Sequence, residues 1–249
     1  MTLYIIRGAG FGGDYIHKII WSLFCLLAGL TSTSREYLEI FLFTSGIWSI
    51  FEVLAWTTGM RGGEVIKPNL MGLTLHPLIA AFLRGLSEGG GFTLIHLLFV
   101  DCYIIESKQC TTWVHWSWIG MNIALFGVDV IASIYYPNSI SSVRDMTAPA
   151  SFRFVCFLVI LGGLVTYTLP KYQALRIWNC VVPTTWIFGV GWNALLYFLG
   201  ARWVSNKKDG LSKAPPLQQI AGLFFDGFFE VSAVYASLIA LYFASTQFF

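Results

Sequence analysis

Seven apolar stretches follow one another along the chain, at roughly 16–31, 37–57, 76–104, 113–136, 153–169, 180–202 and 218–246. A helix crosses the hydrocarbon core of a bilayer with about 20 residues, so most of these are of spanning length. The breaks between them are polar: Ser/Thr/Arg at 31–35, RGGEVIKPN at 61–69, ESKQ at 106–109, PNSISSVRD at 137–145, PKYQALR at 170–176 and NKKDGLSKAPP at 206–216. Trp113, Trp116, Tyr135, Tyr136, Trp178 and Trp203 sit at the ends of these stretches, where interfacial aromatic belts lie. The pattern predicts an all-α, polytopic integral membrane bundle of about seven transmembrane helices, forming one domain over residues 1–249. Residues 1–17 precede it and read as a flexible or interfacial segment. Their run RGAGFGGDY lacks both the GxGxxG spacing and the βαβ setting of a phosphate loop.

The third stretch departs from a plain span. It carries Arg84 and Glu88 near its middle, then Gly89–Gly91, with His76 and His96 on either side and Asp101 near its far end. Three consecutive glycines favour a kink or break in this helix, and the Arg84–Glu88 spacing suits an i,i+4 pair.

Composition agrees with the pattern. The chain is 56% hydrophobic and 11% charged with a mean hydropathy of +0.68, against about 25% charged residues in a soluble domain. A formal charge of +2 gives no footing for a nucleic-acid partner. The natural partners are membrane lipid and a lipid-soluble small molecule, or protons and cations. The five cysteines and four histidines show no metal-ligand spacing, and no cofactor motif is present. Cys102, Cys110 and Cys180 fall towards one face, where Cys110 could pair with Cys180 across adjacent loops. Free thiols are the default there.

Lysines and arginines divide unevenly about the seven stretches. Arg7, Lys18, Arg61, Lys67, Arg144, Arg153, Arg202, Lys207, Lys208 and Lys213 lie towards the amino-terminal side, against Arg35, Lys108, Lys171 and Arg176 on the other. Ten against four predicts a cytoplasmic amino terminus.

With that orientation, five acids fall between the midplane and the cytoplasmic side: Glu52, Glu88, Asp129, Asp226 and Glu230. Arg84 is the one strong cation expected at that depth. So many carboxylates in a low dielectric cannot all be ionised; they must be protonated, hydrated or bound to a cation. Glu88, Glu230, Glu52 and Asp226 are therefore the candidate catalytic groups, with Arg84, Asp129 and Asn193 as candidate substrate or ion ligands. Two chemistries suit this set. A membrane enzyme could use protonated carboxylates on a lipid-soluble substrate, as an isomerase or cyclase does. Alternatively the acids could couple protons or cations to transport, or serve a non-catalytic assembly subunit or receptor.

The run GIWSIFE ending at Glu52, together with Asp226–Gly227 in the last span, resembles the small membrane-bound terpene cyclases, which have seven spans and functional acids in an early and the last span. That resemblance implies roles for Glu52 and Asp226. The family's Asn-x-x-Trp-Glu run is absent, because Ser49-Ile50-Phe51 precedes Glu52. Receptor signatures are missing too: there is no Asp-Arg-Tyr after the third span and no Asn-Pro-x-x-Tyr in the seventh.

Overall fold

The computed structural model describes residues 3–7, 14–57, 67–135, 140–145, 149–207 and 212–247. Seven helices form the body: α1 (Ile16–Thr31), α2 (Glu36–Thr57), α3 (Pro77–Ile104), α4 (Thr112–Tyr135), α5 (Pro149–Thr168), α6 (Lys171–Phe198) and α7 (Pro216–Ser245). Five of them, α2, α3, α4, α6 and α7, are long and apolar enough to cross a membrane; α1 and α5 are shorter apolar helices. Several starts are set locally. Pro77 and Pro216 occupy first-turn positions, where a missing N–H costs nothing, and the His76 side chain accepts from Leu78 N–H. Gly200, at φ +75°, ends the chain's run through α6.

Burial sorts the helices into layers. In α3 and α7 the most apolar windows are 67% and 76% buried, against 28% in α2 and 24% in α4. The two best-buried helices are thus the centre of the bundle, and the others turn their Leu, Ile and Phe side chains outwards. An apolar exterior is what a helix facing lipid presents.

The expected break at Gly89–Gly91 is not a gap. Helix α3 runs on through it, with π-type hydrogen bonding over Gly85–Phe92 and backbone angles close to α-helical at both margins. Its glycines are spent on a close crossing with α2: side chains at 85, 89 and 90 would collide with Ser49, Trp48 and Ser45. The neighbouring helix, not a substrate, occupies the space they leave.

Two regions differ from the helical reading. The amino-terminal segment contains β1 (Leu3–Arg7), the central strand of an antiparallel sheet flanked by β4 (Ile140–Asp145) and β5 (Arg202–Ser205). Alternation puts Leu3 and Ile5 with Trp203 on one face, and Tyr4 with Val204, Ala214 and Leu223 of α7 on the other. A hairpin of β2 (Asn69–Leu70) and β3 (Leu73–Thr74) joins the start of α1, where Asp14 accepts from Ile16 N–H and Met71 N–H. The sheet, the hairpin and the amino terminus share one end of the bundle, called the sheet end below. The other difference is PKYQALR, expected as a loop, most of which forms the opening of α6 and carries a buried Arg176.

Candidate functional site

At the sheet end, five helices and one strand bring together three polar groupings. Arg84, on α3, donates from Nη1 to Glu52 of α2 at 3.2 Å and from Nε to the Tyr15 hydroxyl at 2.6 Å. Lys18, on α1, donates to Glu88 of α3 at 2.7 Å. Tyr4, from β1, lies 2.9 Å from Asp226 Oδ2 of α7 and 3.0 Å from Asn193 Oδ1 of α6.

Glu52, Glu88, Asp226 and Arg84 were expected at one depth, and the structure brings them, with Asn193, to one end of the bundle. The partnerships differ from those expected. The i,i+4 spacing suggested that Arg84 holds Glu88, yet the contacts run between helices, and Lys18 is a second cation at the same level. A charge here thus has an opposite charge or hydroxyl close by, which is what a low-dielectric site demands. The side chains of Asp129 and Glu230 lie outside the described residues.

Local backbone form accompanies the site. Three π segments, Gly85–Phe92, Thr185–Gly191 and Phe225–Ala233, lie towards the sheet end or the middle of their helices, and a fourth, Val100–Ile104, lies at the opposite end of α3. Glu88 is inside the first, Asp226 inside the third, and Asn193 two residues past the second. Such π turns are common at functional positions because the extra residue re-aims side chains. The second and third segments meet at Gly189 and Gly227: a Cβ on Gly227 would stand 2.8 Å from the Gly189 carbonyl carbon. This backbone contact is what lets Asn193 and Asp226 reach the same tyrosine.

Beside the acids stands a phenyl wall. Trp48, Phe51, Phe154, Phe225 and Phe229 pack with Val155, Leu158 and Val234 where α2, α5 and α7 meet. Phe51 meets Phe154 edge-on at 5.1 Å, and Phe225 lies 5.6 Å from Phe229. Phe51 directly precedes Glu52, and Phe225 directly precedes Asp226, so each acid lies one residue along the chain from a ring of the wall. A small cleft lined by Glu52, Trp56, Pro68, Pro77, Ala80, Ala81 and Arg84 has room for little more than a water molecule.

The opposite end holds a polar cluster that hydropathy did not reveal. Arg176 of α6 grips Asp101 of α3 with two nitrogens, at 3.0 and 2.5 Å, and reaches Glu36 of α2 at 2.6 Å. Tyr37 donates to Asp101 at 3.0 Å, and Tyr242 donates to Glu39 at 2.7 Å. Arg176 and Asp101 are 3% and 1% exposed, so the pair is fully enclosed. Their planar fork geometry is the signal arginine offers and lysine does not. Sequence spacing could not find it, since its members come from α2, α3, α6 and α7. Next to it Cys102 and Cys110 form a disulfide, while Cys180 is buried and takes no part in it. The Cys110–Cys180 pairing is thereby replaced by a local link across one loop. Among the described residues no group of three or more potential metal ligands occurs.

No family model, curated protein or solved structure matches the chain.

Proposed function

We propose that this protein is an integral membrane enzyme that moves protons on a lipid-soluble substrate, in the manner of an isomerase or cyclase. Five helices of spanning length and character fit a multi-pass membrane protein. The observation that carries the catalytic reading is the phenyl wall, whose Phe51 and Phe225 adjoin Glu52 and Asp226 in the chain. Partly buried rings at a helix seam suit an apolar substrate arriving sideways from lipid, and their faces favour a developing cation.

The two acids have different surroundings, which suits opposite roles. Asp226, hydrogen-bonded to Tyr4, delivers the proton to a substrate alkene; the π electrons form the new C–H bond and leave a carbocation beside the wall. Glu52, held by Arg84, accepts the proton lost from a neighbouring carbon as the double bond re-forms. Proton in equals proton out, so the product is an isomer and no oxidant is consumed. Glu88 adds a further acid at this end, with Asn193 positioning Tyr4.

An isomer has the mass of its precursor. Lipid extracts of cells with and without the protein should therefore differ by a pair of species of equal mass and different retention. Asp226→Asn and Glu52→Gln should each remove the product while the protein still accumulates in membranes. Unchanged lipid profiles in both comparisons would overturn the proposal.

A second reading, proton-coupled transport, is favoured by one observation. Glu88 and His96 stand two turns apart on one face of α3, at residues 88, 92 and 96, and Asp101 follows. Dissipation of a pH gradient by reconstituted wild-type protein, absent in Glu88→Gln, would favour that reading.

A further inference from the structure

Halfway along the bundle, between the two ionic ends, His96 is 1% exposed on α3. Its Nδ1 lies 2.5 Å from the Phe92 carbonyl, and a carbonyl only accepts, so Nδ1 carries the proton. That fixes the neutral tautomer and leaves Nε2 as a lone-pair acceptor. Nε2 has no partner among the described residues. Nor do the indole N–H groups of Trp21, Trp48 and Trp192, which donate and cannot accept.

These four groups gather about one aromatic stack. Phe92 and Tyr235 stack at 5.2 Å, and His96 extends the stack at 6.1 Å from Tyr235. Trp21 and Trp192 lie 4.7 and 5.8 Å from Phe92, and Trp48 lies 5.4 Å from Tyr235. Four helices, α1, α2, α3 and α6, thus each contribute a ring with an unpaired polar atom to one contiguous cluster. Leaving such groups unpaired in a membrane interior is costly, so four within one cluster is not a neutral arrangement.

The chemistry of the heads defines a complementary group. It must donate to an imidazole nitrogen and accept from an indole N–H, and a hydroxyl does both. The flat aromatic surround adds a preference for rigid or ring-bearing hydrocarbon around that hydroxyl. We infer that the bundle centre binds a membrane-soluble alcohol or phenol, with its hydroxyl donating to His96 Nε2 and accepting from a neighbouring indole. This binding site shares Trp48 with the phenyl wall, but its hydroxyl recognition at His96 does not depend on the acid chemistry at the sheet end.

The test uses the full chain in detergent and a diazirine-bearing sterol alcohol as photoprobe. Expected is saturable labelling of peptides around Phe92–His96 or Trp192. The parent sterol should compete, and its 3-deoxy hydrocarbon should not. His96→Phe should weaken labelling about tenfold, the loss of one hydrogen bond, and His96→Gln, which keeps an acceptor oxygen, should restore most of it. The competitor series needs only wild-type protein, so it remains decisive if His96→Phe fails to fold. Equal competition by the hydrocarbon, equal labelling of His96→Phe, or no saturable labelling would overturn the proposal; the last would leave buried water as the partner of Nε2.

Discussion

Arg176 is the residue whose environment was least legible in the sequence. A hydropathy profile scores PKYQALR as polar and assigns it to a loop, and nothing local signals that an arginine three residues from Gln173 is enclosed. The information lies in Asp101, Glu36 and Phe243, whose ring stands 5.1 Å from the guanidinium, all far away in sequence. Arg176→Ala would leave Asp101 buried without its cation, and the expected loss is about 3–5 kcal/mol. Thermal unfolding in detergent measures this; a variant as stable as wild type would show that water reaches Asp101. Glu88 illustrates the opposite case. It stood out in the sequence as an acid inside an apolar stretch, but its partner Lys18 did not, because a lysine at the start of the first stretch looks like a flanking positive charge. Glu88→Gln should therefore cost about 1.5–3 kcal/mol through the loss of a charged hydrogen bond, whatever it does to activity. Replacing Lys18 by Met in the same chain should recover part of that loss.

Among the elements, helix existence was readable and helix texture was not. Apolar runs identified all seven helices, whereas π turns depend on how the neighbours pack. The glycines drew attention to α3 and did mark unusual backbone, although their use is a tight crossing with α2 rather than an opening. The equivalent contact between α6 and α7, at Gly189 and Gly227, had no such signal, since single glycines are common in membrane helices. Its importance can be tested with one methyl group. Gly227→Ala would press a Cβ to 2.8 Å from the Gly189 backbone, and backbone cannot swing aside as a side chain can. Overpacking of this kind costs about 1–3 kcal/mol, and it should also separate Asn193 from Asp226. The expected outcome is reduced melting temperature with product formation falling further than in Gly163→Ala, whose Cβ meets nothing within 4 Å.

For the molecule as a whole, two independent asymmetries agree. Three of the cations counted earlier are not loop charges: Lys18 pairs with Glu88, Arg202 lies over Trp192 and Arg176 is in the buried cluster. Setting them aside leaves eight against three, with the same sign. The Cys102–Cys110 disulfide lies at the end away from the sheet, and disulfides persist where the surroundings are oxidising. Both place the sheet end in the cytoplasm as our expectation. A cysteine introduced at Lys213 should resist impermeant maleimide on intact cells and react once the membrane is opened; labelling from outside would reverse the orientation. The disulfide itself closes a loop of eight residues, so Cys102→Ser with Cys110→Ser should lower stability by about 2–3 kcal/mol. Non-reducing peptide mapping should recover the Cys102–Cys110 link, with Cys180 outside it.

The placing of β1 between β4 and β5 also sets a schedule. Leu3–Arg7 is made well before its partners Ile140–Asp145 and Arg202–Ser205. At about 5–20 residues per second, the strand waits roughly 10–40 s for its second neighbour to be made. Until Ile140–Asp145 is made, the apolar Leu-Tyr-Ile-Ile segment has no mate of its own, and helices α1 to α4 all precede even that first partner. Tyr4 can therefore reach Asp226 only after α7 has been started, and the sheet-end site is completed late.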